Sequence, residues 1–349
     1  MANSHASEEQ IKRLVDFKGA REYHLHKNRT KRDKRISLTE AIAEYVHDGD
    51  ILAETGFGYV RSPLQSYYEI MRQAKKNLIG IGSPMTNCSY LMTYGCVDAI
   101  HMSYMGAEMR GSDKNYARLI KTDPGRILSH WSHGSMALGF KAAQLGAPFL
   151  AAKQLLGSDL IQNNPFIKII DNPLSEEKDP VCLIPALFPD ICIIHVQEAD
   201  RYGNAVIKGP AVNDIALAAA CRRVIVTAER IVPEMKIREE SSACIPFWYV
   251  DAVVDLPYGA LPGSCPGHYY WAREWWEWLL RIASVNLENV HSFFDYWVFS
   301  SKDQYDFIDK LGGSRFLDGI RQLMEAAQGS LDDSAADFSY QEVIPVWNQ

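Results

Sequence analysis

The sequence predicts an α/β fold built on an open, mainly parallel sheet with helices on both faces. Short, continuously apolar segments (LIGIG at 78–82, DICIIHV at 190–196, VIVTAE at 224–229) have the length and branching of strands buried on both sides. Stretches of helical length alternate with them, as the crossovers of a parallel sheet require. No internal repeat or low-complexity linker divides the 349 residues, and 47% hydrophobic against 23% charged residues supply a substantial core.

The first segment, residues 1–36, holds ten Lys/Arg and five Asp/Glu, so it is +5 where the remainder is −12. It is expected to be a basic N-terminal extension, docked on the subunit or its partner through Leu14, Val15 and Phe17. The main domain is expected over 37–329. It opens at Ser37-Leu38-Thr39-Glu40, a capping-box pattern in which hydroxyl and carboxylate each satisfy a free helix N–H. Leu38, Ala41, Ile42 and Tyr45 then form one apolar face, and Asp48-Gly49 ends the helix. Ile51-Leu52-Ala53 reads as a short buried strand running into a glycine loop at Gly56-Phe57-Gly58. Ser62-Pro63 restarts a helix, with Pro63 suited to the first helical position.

The rhythm continues through LIGIG, VDAIHMSY (97–104), a helix around 133–145, VCLIPAL (181–187), DICIIHV, a helix near 211–221, and VIVTAE. Beyond residue 245 the chain turns aromatic (Trp248, Trp271, Trp275, Trp276, Trp278), which fits a packed helix or a subunit interface. Residues 330–349 read as an acidic C-terminal tail.

Composition excludes several functions. A net charge of −7 has the wrong sign for a general nucleic-acid binder. No run approaches the roughly 18 apolar residues of a membrane span, and the N-terminus lacks the basic start and apolar core of a secretory signal. A soluble, cytoplasmic protein is expected, without nucleic acid or membrane as partner. The seven cysteines are scattered and never form Cys-x-x-Cys, so buried free thiols are expected rather than disulfides or a metal site.

Three loops have the character of a ligand site beyond the carboxyl ends of strands. In Glu54–Pro63, glycines permit close approach of backbone to ligand and Arg61 can clamp a carboxylate; the alternative is an ordinary turn with a surface Arg. In Ser103–Arg110, Glu108 and Arg110 are either an exposed ion pair or a general base held ionised by its neighbour. In Ser129–Ser135, His130 and His133 stand near a helix start, where capping and packing explain them better than a two-His metal site with no third ligand in view. Gly-x-Ser-x-Gly is absent, which weakens a serine hydrolase reading.

Several segments together resemble the alpha-type subunit of family I coenzyme A transferases, and within that family the glutaconate branch. They are DGDILAETGFGYVRSP (48–63), GAPFLAAKQLLGSDL (146–160), IDNPL (170–174), HVQEADRYGNAVIKGP (195–210), VDAVVDLPYGALPGSCPGHYY (250–270) and WVFSSKDQYDFIDKLGGSRF (297–316). Coverage is roughly residues 37 to 320. Thr55 replaces the first Gly of the family's Gly-Gly-Phe triplet. Arg61 stands where the general signature has a later Gly, as it does in the glutaconate branch.

The resemblance implies an α/β subunit working with a beta subunit whose glutamate attacks an acyl-CoA. An acyl-glutamyl anhydride and then a glutamyl-CoA thioester would follow, moving CoA to a carboxylic, notably dicarboxylic, acid. Coenzyme A would be a substrate, with no resident cofactor and no metal. Glu54-Thr55-Gly56 superficially fits the nucleophile's Glu-x-Gly context but occupies the glycine-loop position of the alpha-type subunit. Site residues expected on this chain are Gly56, Phe57, Gly58, Arg61, Ser103, Arg110 and His133 for substrate binding, with Glu108 as the catalytic candidate. Relatives with this architecture hydrolyse or decarboxylate CoA esters, so a hydrolase or lyase with Glu108 as base is the alternative. A purely supporting subunit is a third.

Overall fold

The computed structural model describes residues 5–106, 111–240 and 243–329. Helices α1 (Glu8–Arg13) and α2 (Phe17–His26) precede α3 (Leu38–Tyr45), β1 (Ile51–Ala53), α4 (Leu64–Arg72), β2 (Leu78–Gly82), α5 (Cys88–Thr93) and β3 (Val97–Met102). Then come α6 (Lys114–Thr122), β4 (Ile127–His130), α7 (His133–Leu145), β5 (Phe149–Ala152), β6 (Lys168–Asp171) and β7 (Pro180–Pro185). β8 (Ile191–Ala199), β9 (Ala205–Ile207), α8 (Asp214–Ala220), β10 (Arg223–Ile231), α9 (Glu234–Glu239), β11 (Ala243–Ile245) and β12 (Ala252–Asp255) follow. The C-terminal helices are α10 (Arg273–Val285), α11 (Leu287–Phe294), α12 (Gln304–Leu311) and α13 (Gly313–Gly329).

Seven strands run parallel in the order β12-β10-β8-β1-β2-β3-β4, and β9 and β11 extend the carboxyl end of β8 antiparallel. Alternate residues feed two cores, one per face. Leu52, Ile193 and Ile225 join the core under α3, α4 and the C-terminal helices, whereas Ile51, Ala53, Ile194 and Val226 join the core under α7 and α8. This two-sided burial is why the strands read as unbroken apolar runs. Chain order runs outward from β1 through β2, β3 and β4, and in the other direction from β8 through β10 and β12. The crevice between β1 and β8 is therefore a topological switch point, the usual place for a ligand in an open α/β sheet.

The structure corrects the sequence reading in several places. VCLIPAL forms β7, which lies outside the main sheet as the centre of a separate antiparallel sheet, β5-β7-β6. Pro63 is the N-cap of α4 and Leu64 its first residue. The N-terminal segment is two helices tied down by long-range polar contacts: Arg13 pairs with Asp190, Lys27 with Asp251, and Lys34 Nζ donates to Phe247 O and Val250 O. Cys244 is exposed, and the other six cysteines are buried free thiols. The acidic tail lies outside the described residues. Among these, no helix is long and apolar enough to cross a membrane.

The aromatic segment is mostly core. Trp275, Trp276, Trp297 and Tyr269 are buried, while Trp248 and Trp278 stay partly exposed. Trp275 meets Trp276 and Phe293 edge-on at centroid distances of 5.0 and 4.8 Å, the geometry that ring quadrupoles favour.

Candidate functional site

The loop after β1 leaves the sheet at the switch point and turns back at once. Phe57 and Val60 exchange backbone hydrogen bonds of 2.9 and 2.8 Å, and Ser62 Oγ closes the turn onto Gly58 O at 2.7 Å. Gly56 has φ +73°, and a Cβ there would lie 2.6 Å from Val60 O, so only glycine fits. Tyr59 stacks on Trp271 and packs on Trp276, at centroid distances of 5.3 and 4.1 Å, so the aromatic segment buttresses this loop. Phe57, 38% exposed, stands at the rim.

Two of the triplet's three N–H groups are engaged within the fold: Gly56 donates to Asp214 Oδ1 at 2.9 Å and Phe57 to Val60 O. Asp214, the first residue of α8, also takes the Arg61 guanidinium on Oδ2 at 2.6 Å. Arg61 further donates to His195 O at 3.2 Å and to Pro210 O. Its side chain is fully buried and its backbone is left-handed, φ +54°. The expected substrate-carboxylate clamp is thus corrected: Arg61 is an internal strut that ties the glycine loop to β8 and α8.

Ser103 and His133 meet the carboxyl end of β2, the neighbour of β1, from β3 and α7. Ser103 Oγ donates to Gly82 O at 2.8 Å, and the next residue after that glycine, Ser83, shares a 2.6 Å hydrogen bond with His133 Nδ1. His133 is exposed as the first residue of α7, whose N-cap is Ser132 in a capping box with Ser135, and Tyr104 flanks its ring at 5.5 Å. His133 can therefore offer a ring N–H or an acceptor to a ligand at the crevice mouth. Glu108 and Arg110 lie outside the described residues.

Sequence reasoning missed three contributors. Asp214 joins glycine loop and strut, Asn213 Nδ2 donates to Ser83 O at 3.2 Å, and Asn87 Nδ2 donates to both Glu54 Oε1 and Gly58 O, at 3.0 and 3.2 Å. All act across more than 25 residues of chain, so no local spacing announces them. Glu54, at the end of β1, turns inward, and burial pushes its carboxyl up to about 7.

Behind the loop, the His195, Glu229 and Cys265 ligand atoms gather within 4.8 Å. Glu229 Oε1 accepts from Tyr269 OH at 2.5 Å and shares a 2.7 Å hydrogen bond with His195 Nε2, and Oε2 accepts from Tyr258 N at 2.8 Å. His195 Nδ1 is occupied by Thr227 Oγ1 at 2.9 Å. With these partners filled, the network reads as a polar brace of the core.

The chain is similar along most of its length to proteins already known. An uncharacterized protein of Archaeoglobus fulgidus is 38% identical over 301 residues, covering 85% of this chain, which spans 66% of that protein's length. The alpha-type subunit of glutaconate CoA-transferase from Acidaminococcus fermentans is 31% identical over 305 residues, 81% of this chain and 93% of the relative. The crystal structure of glutaconate coenzyme A-transferase from that organism superposes with a TM-score of 0.77 at 30% identity, covering 82% of this chain and 95% of the other. Residues 35–256 match the family Coenzyme A transferase, a span that includes the parallel sheet, the glycine loop and Asp214. The chain belongs to the coenzyme A transferase family.

Proposed function

We propose that this chain is the alpha-type subunit of a two-subunit CoA-transferase that exchanges CoA between an acyl-CoA and a carboxylic acid, dicarboxylic on at least one side. The observation that carries the reading is the inward turn of Glu54. It is the only acid between residues 54 and 62, and its side chain is buried with Oε1 occupied, so the glycine loop presents backbone at the switch point without an accessible nucleophile. The nucleophilic glutamate then comes from a partner subunit.

In that scheme the partner's carboxylate attacks the thioester carbonyl and CoA thiolate leaves, giving an acyl-glutamyl anhydride. The thiolate attacks the glutamyl carbonyl, releasing the first acid and forming glutamyl-CoA. The second acid repeats the two steps in reverse, so no proton is consumed overall. Each attack builds an oxyanion, for which the Gly58 N–H is the glycine-loop donor proposed; one such donor contributes about 3 to 4 kcal/mol. His133 and Ser83 face the entering acid at the crevice mouth. Coenzyme A is a substrate here, no resident cofactor is invoked, and the setting is the cytoplasm.

The test is co-expression with the beta subunit. A hetero-oligomer with ping-pong kinetics is expected, and hydroxylamine or borohydride trapping during turnover should modify the partner chain and spare this one. A lone chain that is fully active would end this reading. Glu108→Gln is expected to leave transfer within about 3-fold. A loss of about 100-fold with acceptor-independent CoA release would instead make Glu108 a base for hydrolysis.

A further inference from the structure

The carboxyl group of Glu54 has no evident place in a transfer scheme, yet its surroundings are specific. Oε1 accepts the backbone N–H groups of Thr86 and Asn87, both at 2.9 Å, together with the Asn87 side-chain amide. The Cys88 N–H also faces the carboxyl. These groups lead into α5, whose N-cap Asn87 makes no side-chain cap of its own, so a carboxylate from β1 caps a helix that follows β2. The same Asn87 amide reaches Gly58 O, and a Cβ on Gly82 would lie 2.9 Å from the Glu54 Cβ. Glu54 is thus wedged between the glycine loop and the 83–88 loop that carries Ser83.

This arrangement is costly. Glu54 Oε2, Thr86 Oγ1 and Asn87 Oδ1 are buried without a protein partner of normal hydrogen-bond geometry. The titratable groups facing the carboxyl include Tyr67 of α4 and Cys88 of α5, both pushed well up by burial and hence neutral, and among the described residues no Lys, Arg or His forms an ion pair with it. An apolar residue here would avoid burying an unpaired carboxyl.

We infer that Glu54 is a positioning residue for acyl transfer, which through Asn87 holds the glycine loop at Gly58 and the Ser83 loop in one fixed arrangement. The inference rests on the transfer reading above for its kinetic consequence, though the loop coupling itself is independent of the reaction. The ionised carboxylate is the stronger holder, because hydrogen bonds to a charged acceptor are roughly twice as strong as neutral ones. It is also the form that the fold disfavours. Between the ordinary carboxyl value of 4.5 and about 7 the folded chain retains a proton that the unfolded chain has lost, so stability falls as pH rises through that window.

The near-isosteric Glu54→Gln variant of the co-expressed enzyme tests this. It keeps the acceptor for the three donors but removes the charge. It should be as stable as wild type or more so at pH 8, yet kcat should fall about 10-fold or more with KM changed by less than about 3-fold, since misplacement affects the transition state more than ground-state binding. Wild-type kcat should rise with pH around 7, and that limb should vanish in the variant. Asn87→Ala, which cuts the link to Gly58, should reproduce the kcat loss without adding to it in the double variant. Hydrogen exchange at residues 54–62 and 83–88 should quicken in both single variants. Wild-type kcat and an unchanged pH limb in Glu54→Gln, with unaltered exchange, would overturn the assignment. Quickened exchange in an enzyme that shows no transfer even as wild type would uphold the coupling and discard the transfer reading.

Discussion

Arg61→Ala is expected to destabilise the chain by about 3–5 kcal/mol, the usual consequence of removing one member of a buried ion pair. The alanine variant leaves Asp214 Oδ2, His195 O and Pro210 O without their Arg61 donor, and the buried Asp214 side chain keeps the Gly56 N–H as its remaining hydrogen bond among the described residues. With an unfolding entropy near 2 cal/mol/K per residue, that loss corresponds to a Tm drop of about 4–7 °C for 349 residues. The left-handed backbone at Arg61, φ +54°, adds a diagnostic comparison. Alanine keeps the strain that a Cβ brings there and glycine removes it, so Arg61→Gly should be about 1 kcal/mol less destabilising than Arg61→Ala. Thermal melts of both variants decide this. A surface role would leave both at the wild-type Tm.

The same backbone angle gives a physical reason for what stands at this position. The glycine that the resembled signature carries here would adopt this left-handed turn without strain, whereas Arg61 offsets the strain with its Asp214 pair. The sequence shows the substitution but not Asp214, 153 residues away along the chain. The side chain's direction, inward to α8 rather than outward to ligand, therefore could not be read from local spacing.

Where information is local, the sequence was legible. The Ser37/Glu40 capping box forms as its pattern requires, LIGIG is β2 residue for residue, and the helix around 133–145 has those limits. The parallel class follows from strands whose two faces are both apolar. VCLIPAL misled because one face of a small antiparallel sheet packed on α7 looks, over seven residues, like a strand of the main sheet; β5 and β6, which distinguish the two, are largely exposed and carry little periodic signal. The turn at the glycine loop and the helix start at His133 are legible because glycine and capping chemistry are local. Asn87 and Asp214 were missed because their roles arise only when the sheet brings distant loops together. Glu54-Thr55-Gly56 has a nucleophile's sequence context but the glycine loop's position, and burial of the Glu54 side chain shows that it faces the wrong way for that task.

Gly56→Ala is the substitution expected to damage the reaction most for the smallest change in composition. A Cβ at this position would lie 2.6 Å from Val60 O, 2.7 Å from the Arg61 carbonyl carbon and 2.7 Å from Ser62 N, all backbone atoms that cannot rotate aside. The turn must open, and opening it separates Gly56 N–H from Asp214, disturbs the Arg61 strut and moves the Gly58 N–H proposed to meet the oxyanion. Because loss of a single oxyanion donor costs about 100- to 1000-fold in kcat, a displaced loop should lose at least about 100-fold in kcat/KM. Backbone strain alone would not do this. Gly95, with φ +67° and no heavy atom within 4 Å of an added Cβ, supplies the control: Gly95→Ala carries the strain of a left-handed alanine, about 1 kcal/mol, at the end of α5 and should retain near-wild-type turnover. Steady-state kinetics of the two variants in the co-expressed enzyme, alongside melts to separate unfolding from slowed chemistry, distinguish a precise backbone wall from a generic turn. Near-wild-type turnover in Gly56→Ala would remove the glycine loop from the site.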